Sequence, residues 1–179
     1  GESGPVLKVF NWGEYMDPEV LDMFEEETGI KVIYETYETN ESMYTKVANS
    51  GSSSSYDIVF PSEYMMAKMI REGLISKINF ENVPNASLML DQFKSEPFNS
   101  FDPNNEYFVP YVWGTVGIVY DKTKVTKPVT SWDILWDKDY TQNIFMKDDQ
   151  RDSIGIALKS LGYSVNSTND KELEQAKKK

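Results

Sequence analysis

The sequence predicts an α/β fold with a mostly parallel sheet and flanking helices. Three short apolar segments alternate with amphipathic ones in the first part of the chain, and we assign strands to 7–10, 31–37 and 56–60. A helical pattern follows each strand. Because strands joined by a single helix run parallel with right-handed crossovers, the order β-α-β-α-β-α predicts a parallel sheet.

Local signals mark the ends of these helices. Asp17 is expected to cap the first helix, and Gly29 is expected to end it. Asn40 is expected to cap the second helix. A third helix is expected to open at 61–63 and to end at Gly73.

Later segments carry weaker patterns. A polar loop is expected at 51–55, and short strands are expected at 75–78 and 143–146. The segment 111–120 is long enough for one extended strand or for two strands joined at a bend. Further helices are expected to begin at Ser131, at 148–152 with its end at Gly162, and at Asn169.

Composition narrows the classes of function. Of the 179 residues, 40% are hydrophobic and 13% aromatic, which is enough for one domain or two small ones. A net charge of −11 argues against nucleic-acid binding and weakly favours a cationic partner. The absence of Cys and His excludes disulfides, thiolate ligands and the usual general base, while carboxylate chemistry and Mg²⁺ or Ca²⁺ sites stay open. No apolar run reaches the roughly 20 residues of a membrane span.

Polar and aromatic side chains cluster at three predicted strand-to-helix turns, 12–15, 62–64 and 148–152. The carboxyl ends of parallel strands lie at one rim of a sheet, where α/β folds bind their ligands. These turns offer aromatic rings, hydroxyls and carboxylates, but no strong nucleophile. Such a set suits an organic cation, because an ammonium is attracted to the face of Trp or Tyr and forms charge-assisted hydrogen bonds with carboxylates.

Simpler structural roles stay open for the same residues. Trp12 is equally well explained as a core residue, and the two tyrosines of these turns as surface residues. Ser62 and either Asp148 or Asp149 stand where helix N-caps are expected, and Asp152 stands where a first-turn carboxylate interacts with the helix dipole.

A hydrolase that uses Glu14 and Glu63 is the enzymatic alternative. Carboxylate catalysis needs two acids whose environments push their pKa values apart. Nothing in the sequence indicates such a pair, so we expect no enzyme activity.

Four long motifs give the chain a resemblance to a known family. They are FNWGEYM with the following DPEVLDMFEEETGIKVIYETYETNESMY, YDIVFPSEYMMAKMIREGLI, FDPNNEYFVPYVWGT, and SWDILWDKDYTQNIFMKDDQRDSIGIALKSLGYS. Through these motifs, which cover nearly all of 6–175, the sequence resembles the spermidine/putrescine-binding proteins of bacterial polyamine ABC transporters. The resemblance implies a periplasmic-binding-protein fold with a polyamine in the cleft between two lobes. It implies no enzyme, no cofactor and no metal site.

Taken residue by residue, the resemblance implies a polyamine site. Trp12 and Tyr15 are expected to contact the aliphatic stem and an ammonium, with Glu14 assisting at the same end. The other implied contacts are Ser62 and Tyr64 in the first lobe, and Asp149 and Asp152 in the second. Gly13 stands where relatives carry a hydroxyl side chain and Asp152 where relatives carry Glu, and both departures bear on which polyamine is preferred.

The resemblance also implies a setting for the protein. We expect an extracytoplasmic location, in the periplasm or lipid-anchored at the cell surface with the signal segment removed, and a membrane ABC permease as partner. Family members are longer, so we expect a truncated or split form with an incomplete first lobe at 1–118 and the beginning of the second at 119–179. Unfinished sheet edges predict self-association or domain exchange. The alternatives are an interaction module without tight ligand binding and a binding protein for another small solute.

Overall fold

The chain forms two compact units. A computed structural model describes residues 4–50 and 56–179, and the polar loop predicted between these ranges lies outside the described residues. The two units are Gly1–Trp113 and Gly114–Lys179. A lobe of the family fold and a compact unit of this chain are different divisions, so the lobe boundary expected at 118/119 stays a prediction.

In the described residues, the first unit is built on a parallel sheet. Its strands are β1 (Val6–Trp12), β2 (Lys31–Tyr37) and β3 (Ile58–Val59), in the order β2-β1-β3. β1 and β2 pair over their whole length, with Trp12 opposite Tyr37. β3 also runs parallel to β1 but is shorter than the predicted strand at 56–60. The predicted parallel sheet is therefore confirmed, with β1 as its central strand.

Helices follow each of these strands. They are α1 (Pro18–Thr28), α2 (Asn40–Asn49) and α3 (Glu63–Arg71). The predicted ends of α1 are confirmed, because Asp17 accepts a hydrogen bond from the Glu19 N–H at 3.0 Å and Gly29 adopts a left-handed conformation with a φ of 69°. None of the helices in the described part of the chain is long and apolar enough to cross a membrane.

The predicted cap of α2 is wrong by one residue. The Thr39 hydroxyl accepts a hydrogen bond from the Ser42 N–H at 3.1 Å, and Asn40 is the first residue of the helix. One side-chain acceptor is enough at this position, and the threonine supplies it. The Asn40 side chain is therefore available for a tertiary contact and is only 1% exposed.

Aromatic and methionine side chains form the core of the first unit. The Phe10 ring of β1 stacks on Tyr56 with ring centroids 4.3 Å apart, and it also meets the Tyr37 ring at 4.9 Å in an edge-on arrangement. The buried members of this core are Phe10, Tyr37, Met43, Tyr56, Met65 and Met69. Phe10 belongs to β1 and contacts both of these aromatic rings. The packing of the rings against Phe10 therefore fixes the position of β1 in the core.

Three predicted strands are not formed. The segments 75–78, 111–120 and 143–146 contain no strand in the residues that the structure describes. Apolar side chains in the second segment stay in solvent, with Trp113 63% and Val119 98% exposed. The β-branched and aromatic residues of these three segments favour an extended backbone. A strand forms, however, only where a neighbouring strand accepts and donates its backbone hydrogen bonds. Short 3₁₀ helices occupy Phe80–Asn82, Pro84–Leu88 and Asp91–Lys94.

The second unit has a small core of its own. It contains the helices α4 (Gln150–Ser160) and α5 (Asp170–Lys178) and the 3₁₀ helices Trp132–Trp136 and Lys138–Tyr140. Ala157 and Leu158 of α4 pack with Ala176 of α5. Trp136 covers this group of small and branched residues.

Local signals in the second unit are mostly confirmed. Asp149, one of the two aspartates expected at this position, caps α4. The helix expected to begin at Asn169 is confirmed as α5, and Asn169 is its cap. Ser131 also caps the helix that follows it, through a hydrogen bond from the Asp133 N–H to its hydroxyl at 3.2 Å. That helix is a short 3₁₀ helix and not an α-helix.

The core of the first unit yields a stability prediction. Met43 is 0% exposed, whereas Met23 on α1 is 66% exposed. We expect Met43→Ala to lower the free energy of unfolding by about 2–5 kcal/mol, because it leaves a cavity under α2. The matched change Met23→Ala is expected to cost less than about 0.5 kcal/mol. Urea unfolding followed by circular dichroism measures both, and equal losses would contradict this description of the core.

Candidate functional site

The candidate site lies at the carboxyl ends of the parallel strands. β1 ends at Trp12 and β2 ends at Tyr37, which are paired in register. Phe60 directly follows β3. Parallel strands bring these three residues to one rim of the sheet, where ligands of α/β folds bind.

The carbonyl oxygen of Phe60 links the three strand ends. It accepts a hydrogen bond from the Trp12 indole N–H at 2.9 Å and a second from the Tyr37 hydroxyl. Burial is the main cause that raises the pKa of Tyr37 above its ordinary value, so the phenol stays protonated and keeps donating. The indole is therefore held in one orientation by its own chain.

This arrangement uses the indole N–H but not the ring faces. The Trp12 ring is half-buried, and its centroid lies 4.7 Å from that of Tyr37 and 5.9 Å from that of Tyr15. It also packs against the core of the first unit. The packing of Trp12 supports its interpretation as a partly buried core residue, and its contact with a ligand stays a prediction.

Tyr15 lies beside this ring, and Glu14 precedes it in the same turn. Both side chains are exposed, Tyr15 by 46%. The Tyr15 carbonyl accepts a hydrogen bond from the Tyr111 hydroxyl, which attaches the turn to a segment distant in sequence. The turn is therefore anchored through its backbone, while its carboxylate and phenol face solvent.

Ser62 occupies the residue before α3, but its side chain makes no capping hydrogen bond. The Ser62 hydroxyl instead accepts a hydrogen bond from the Asn40 amide at 3.0 Å, and the Ser62 N–H donates to the Asn40 side-chain oxygen at 2.9 Å. A hydroxyl that accepts one hydrogen bond keeps its own proton as a donor. The N-cap interpretation of Ser62 is therefore correct for its position and wrong for its side chain.

Tyr64 lies in the first turn of α3. Its hydroxyl donates to a carboxylate oxygen of Glu41 on α2 at 3.2 Å, and its half-buried ring packs against the core. The structure thus attaches both predicted residues of this turn, Ser62 and Tyr64, to the beginning of α2. In the first unit Trp12 and Tyr15 are neighbours, and Phe60 connects them to the segment that carries Ser62.

The two predicted acids of the second unit lie at the beginning of α4. Asp149 caps this helix by accepting a hydrogen bond from the Asp152 N–H at 2.9 Å. The Asp152 carboxylate is half-buried and forms an ion pair with the Lys147 ammonium. Both acids have the structural roles that the sequence left open, and a carboxylate has lone pairs for more than one such contact.

A family model for bacterial extracellular solute-binding proteins matches residues 19–179. The chain belongs to the bacterial extracellular solute-binding proteins. This family is a class of solute-binding proteins of transporters and not an enzyme class.

Similar solute-binding proteins are known in several bacteria. The chain is 44% identical over 171 residues to the spermidine/putrescine-binding periplasmic protein of Escherichia coli, covering 95% of this chain and 48% of that protein. A structure described as a spermidine/putrescine ABC transporter from Listeria monocytogenes superposes with a TM-score of 0.91 at 39% identity, covering 98% of this chain and 53% of that one. The substrate-binding protein of a spermidine/putrescine ABC transporter from Streptococcus pneumoniae superposes with a TM-score of 0.74 at 43% identity, covering 97% and 52%.

These comparisons confirm the predicted resemblance and the periplasmic-binding-protein type of fold. The chain spans about half the length of the curated relatives that it matches. The seven predicted contact residues stay predictions.

Sequence reasoning missed two residues that shape this solute-binding protein. The sequence predicts a helix cap at Asn40, but the preceding Thr39 is also a favoured cap residue and leaves the asparagine for another role. Lys147 was not assigned, because nothing in its local pattern indicates a partner. Its pairing with Asp152 depends on how the chain turns into α4.

The link between Asn40 and Ser62 can be tested by its effect on stability. We expect Asn40→Ala to lower the free energy of unfolding by about 1–3 kcal/mol, because the Ser62 N–H loses its partner in a half-buried position. Asn49→Ala, at the exposed end of the same helix, is the control and is expected to change it by less than about 0.5 kcal/mol. Denaturant unfolding measures both changes. An Asn40 variant as stable as the Asn49 variant would show that this link contributes nothing.

Proposed function

We propose that this solute-binding protein captures a polyamine, spermidine or putrescine, for an ABC importer. The observation that carries the proposal is the Trp12 ring, held at the carboxyl rim of the sheet with its N–H already bonded to Phe60. A ring fixed in this way offers its face and no hydrogen-bond donor. That suits an alkylammonium, which has an apolar stem and a cationic end and accepts no hydrogen bonds.

The neighbours of the ring have matching chemistry. Tyr15 adds a second aromatic ring 5.9 Å from Trp12, and Glu14 adds an exposed carboxylate to the same turn. A cation–π contact contributes about 0.5–2 kcal/mol, and a hydrogen bond to a charged group about 1.5–3 kcal/mol. A few such contacts together reach the roughly 8 kcal/mol of micromolar affinity.

The acids of α4 provide ammonium acceptors in the second unit. We assign this role to Asp149 and Asp152, which the family resemblance implies and whose carboxylates lie within one helical turn. Ser62 and Tyr64 are assigned polar contacts from the first unit. The net charge of −11 favours the approach of a polycation.

The setting of the proposed function follows the relatives. The Escherichia coli relative is named a periplasmic protein, and we propose an extracytoplasmic location for this protein as well. Its proposed partner is the membrane permease of a polyamine importer. Self-association through the edges of the sheet stays a prediction.

Titration calorimetry tests the proposed function directly. We expect spermidine or putrescine to bind saturably, with a dissociation constant of about 1 μM to 100 μM, because several ionic and cation–π contacts act together. 1,4-Butanediol has a similar stem without ammonium groups and serves as the control ligand, for which no binding is expected. The absence of both heat and thermal stabilisation at millimolar polyamine would overturn the proposal in favour of an interaction module without tight ligand binding.

Neutral variants test the two acids of α4. We expect Asp149→Asn and Asp152→Asn each to weaken spermidine binding about 10-fold to 100-fold, because an amide cannot form a charge-assisted hydrogen bond with an ammonium. Asparagine is as good an N-cap as aspartate, so Asp149→Asn removes the charge and keeps the start of α4. Asp148→Asn removes one charge from the exposed neighbouring residue and is the matched control. If all three variants bind alike, the assignment of these acids is wrong.

A further inference from the structure

We propose that Lys147 is a specificity-determining residue whose own ammonium competes with the bound amine for Asp152. The inference rests on the proposed function, since it concerns the same amine site. It goes beyond that function because it identifies a side chain of the protein itself that competes with the ligand. The observation behind it is the ion pair between Lys147 and Asp152.

Both members of this ion pair are held by the beginning of α4. The Lys147 carbonyl accepts a hydrogen bond from the Ser153 hydroxyl at 2.9 Å. The Asp152 N–H donates to Asp149 at 2.9 Å. The backbones on both sides of the pair are therefore tied to the same helical turn, and the ammonium meets the carboxylate without ordering a long segment of chain.

The chemistry of the pair matches that of the proposed ligand. A lysine side chain is a primary ammonium on a chain of four methylenes, and a chain of the same length joins the two ammonium groups of putrescine. The carboxylate of Asp152 therefore receives from Lys147 the contact that an amine ligand would make. An incoming ammonium has to displace the Lys147 ammonium or share the carboxylate with it.

The exposures of the two side chains favour displacement. Asp152 is 24% exposed, whereas Lys147 is 64% exposed. The carboxylate is thus held against the protein, while the lysine reaches it from the solvent side. Because most of the lysine side chain is in solvent, the ammonium can leave Asp152 without opening the core.

A purely structural role explains the pair less well. The beginning of a helix carries a partial positive charge, which favours Asp152 and opposes a lysine ammonium. Asp149 already caps the helix. The ion pair is therefore not needed to begin α4, and its removal is expected to act on amine binding rather than on folding.

Calorimetric titration of the full chain with spermidine tests the inference. We expect Lys147→Met to tighten binding about threefold to tenfold, because the ligand no longer displaces an ion pair. Lys159→Met is the matched control, since Lys159 is an exposed lysine near the other end of α4, and it is expected to stay within about twofold of the parent. In the Asp152→Asn background, Lys147→Met is expected to bring no gain, because the two side chains act as a pair.

The possible outcomes separate this inference from the proposed function. If the parent chain binds spermidine and the Lys147→Met variant binds it equally or less tightly, the role of Lys147 as a competitor is wrong. The proposed function is then unaffected. Equal tightening by Lys147→Met and Lys159→Met also overturns the role of Lys147, because the effect is then one of net charge. If only the Lys147→Met variant binds spermidine, the Lys147 ammonium blocks binding completely, and the inference is supported. If neither chain binds, both proposals fail. Lys147→Gln replaces the methionine variant if circular dichroism shows that the latter does not fold.

Discussion

The rim of the sheet depends on one backbone oxygen, the carbonyl of Phe60. It receives the indole N–H of Trp12 from the end of β1 and the hydroxyl of Tyr37 from the end of β2, while Phe60 itself follows β3. Three strand ends are thereby fixed to one point. The orientation of the indole follows from this contact, because the ring has to satisfy its only donor inside the protein.

A second set of hydrogen bonds also connects separate elements of the first unit. The amide of Asn40 meets both the N–H and the hydroxyl of Ser62, so the first residue of α2 holds the turn that opens α3. The polar groups of Asn40 and Ser62 are satisfied by one another, while Glu14 and Tyr15 remain exposed. The first unit therefore combines a fixed support with side chains that are available to a ligand. Such preorganisation lowers the cost of ordering when a ligand binds.

The sequence predicts those features that depend on neighbouring residues. The ends of α1, a cap of α4 at Asp148 or Asp149 and the parallel direction of the strands all follow from short local patterns. Features that depend on distant residues were wrong or missed. The segment 111–120 has a strand pattern but no pairing strand in the described residues, and Asn40 has a cap-like position but a tertiary contact. The ion pair of Lys147 also requires the folded turn before α4.

The bonding of Trp12 has a consequence for protein engineering. Because its N–H is bound to Phe60, the indole offers a flat surface that makes no directional demand on a ligand. A cation–π contact requires an ammonium over the ring face and does not depend on the length of the alkyl chain behind it. Under the proposed function, a designer who wants a sensor for a different amine can keep this aromatic platform unchanged and search for new selectivity among the charged side chains.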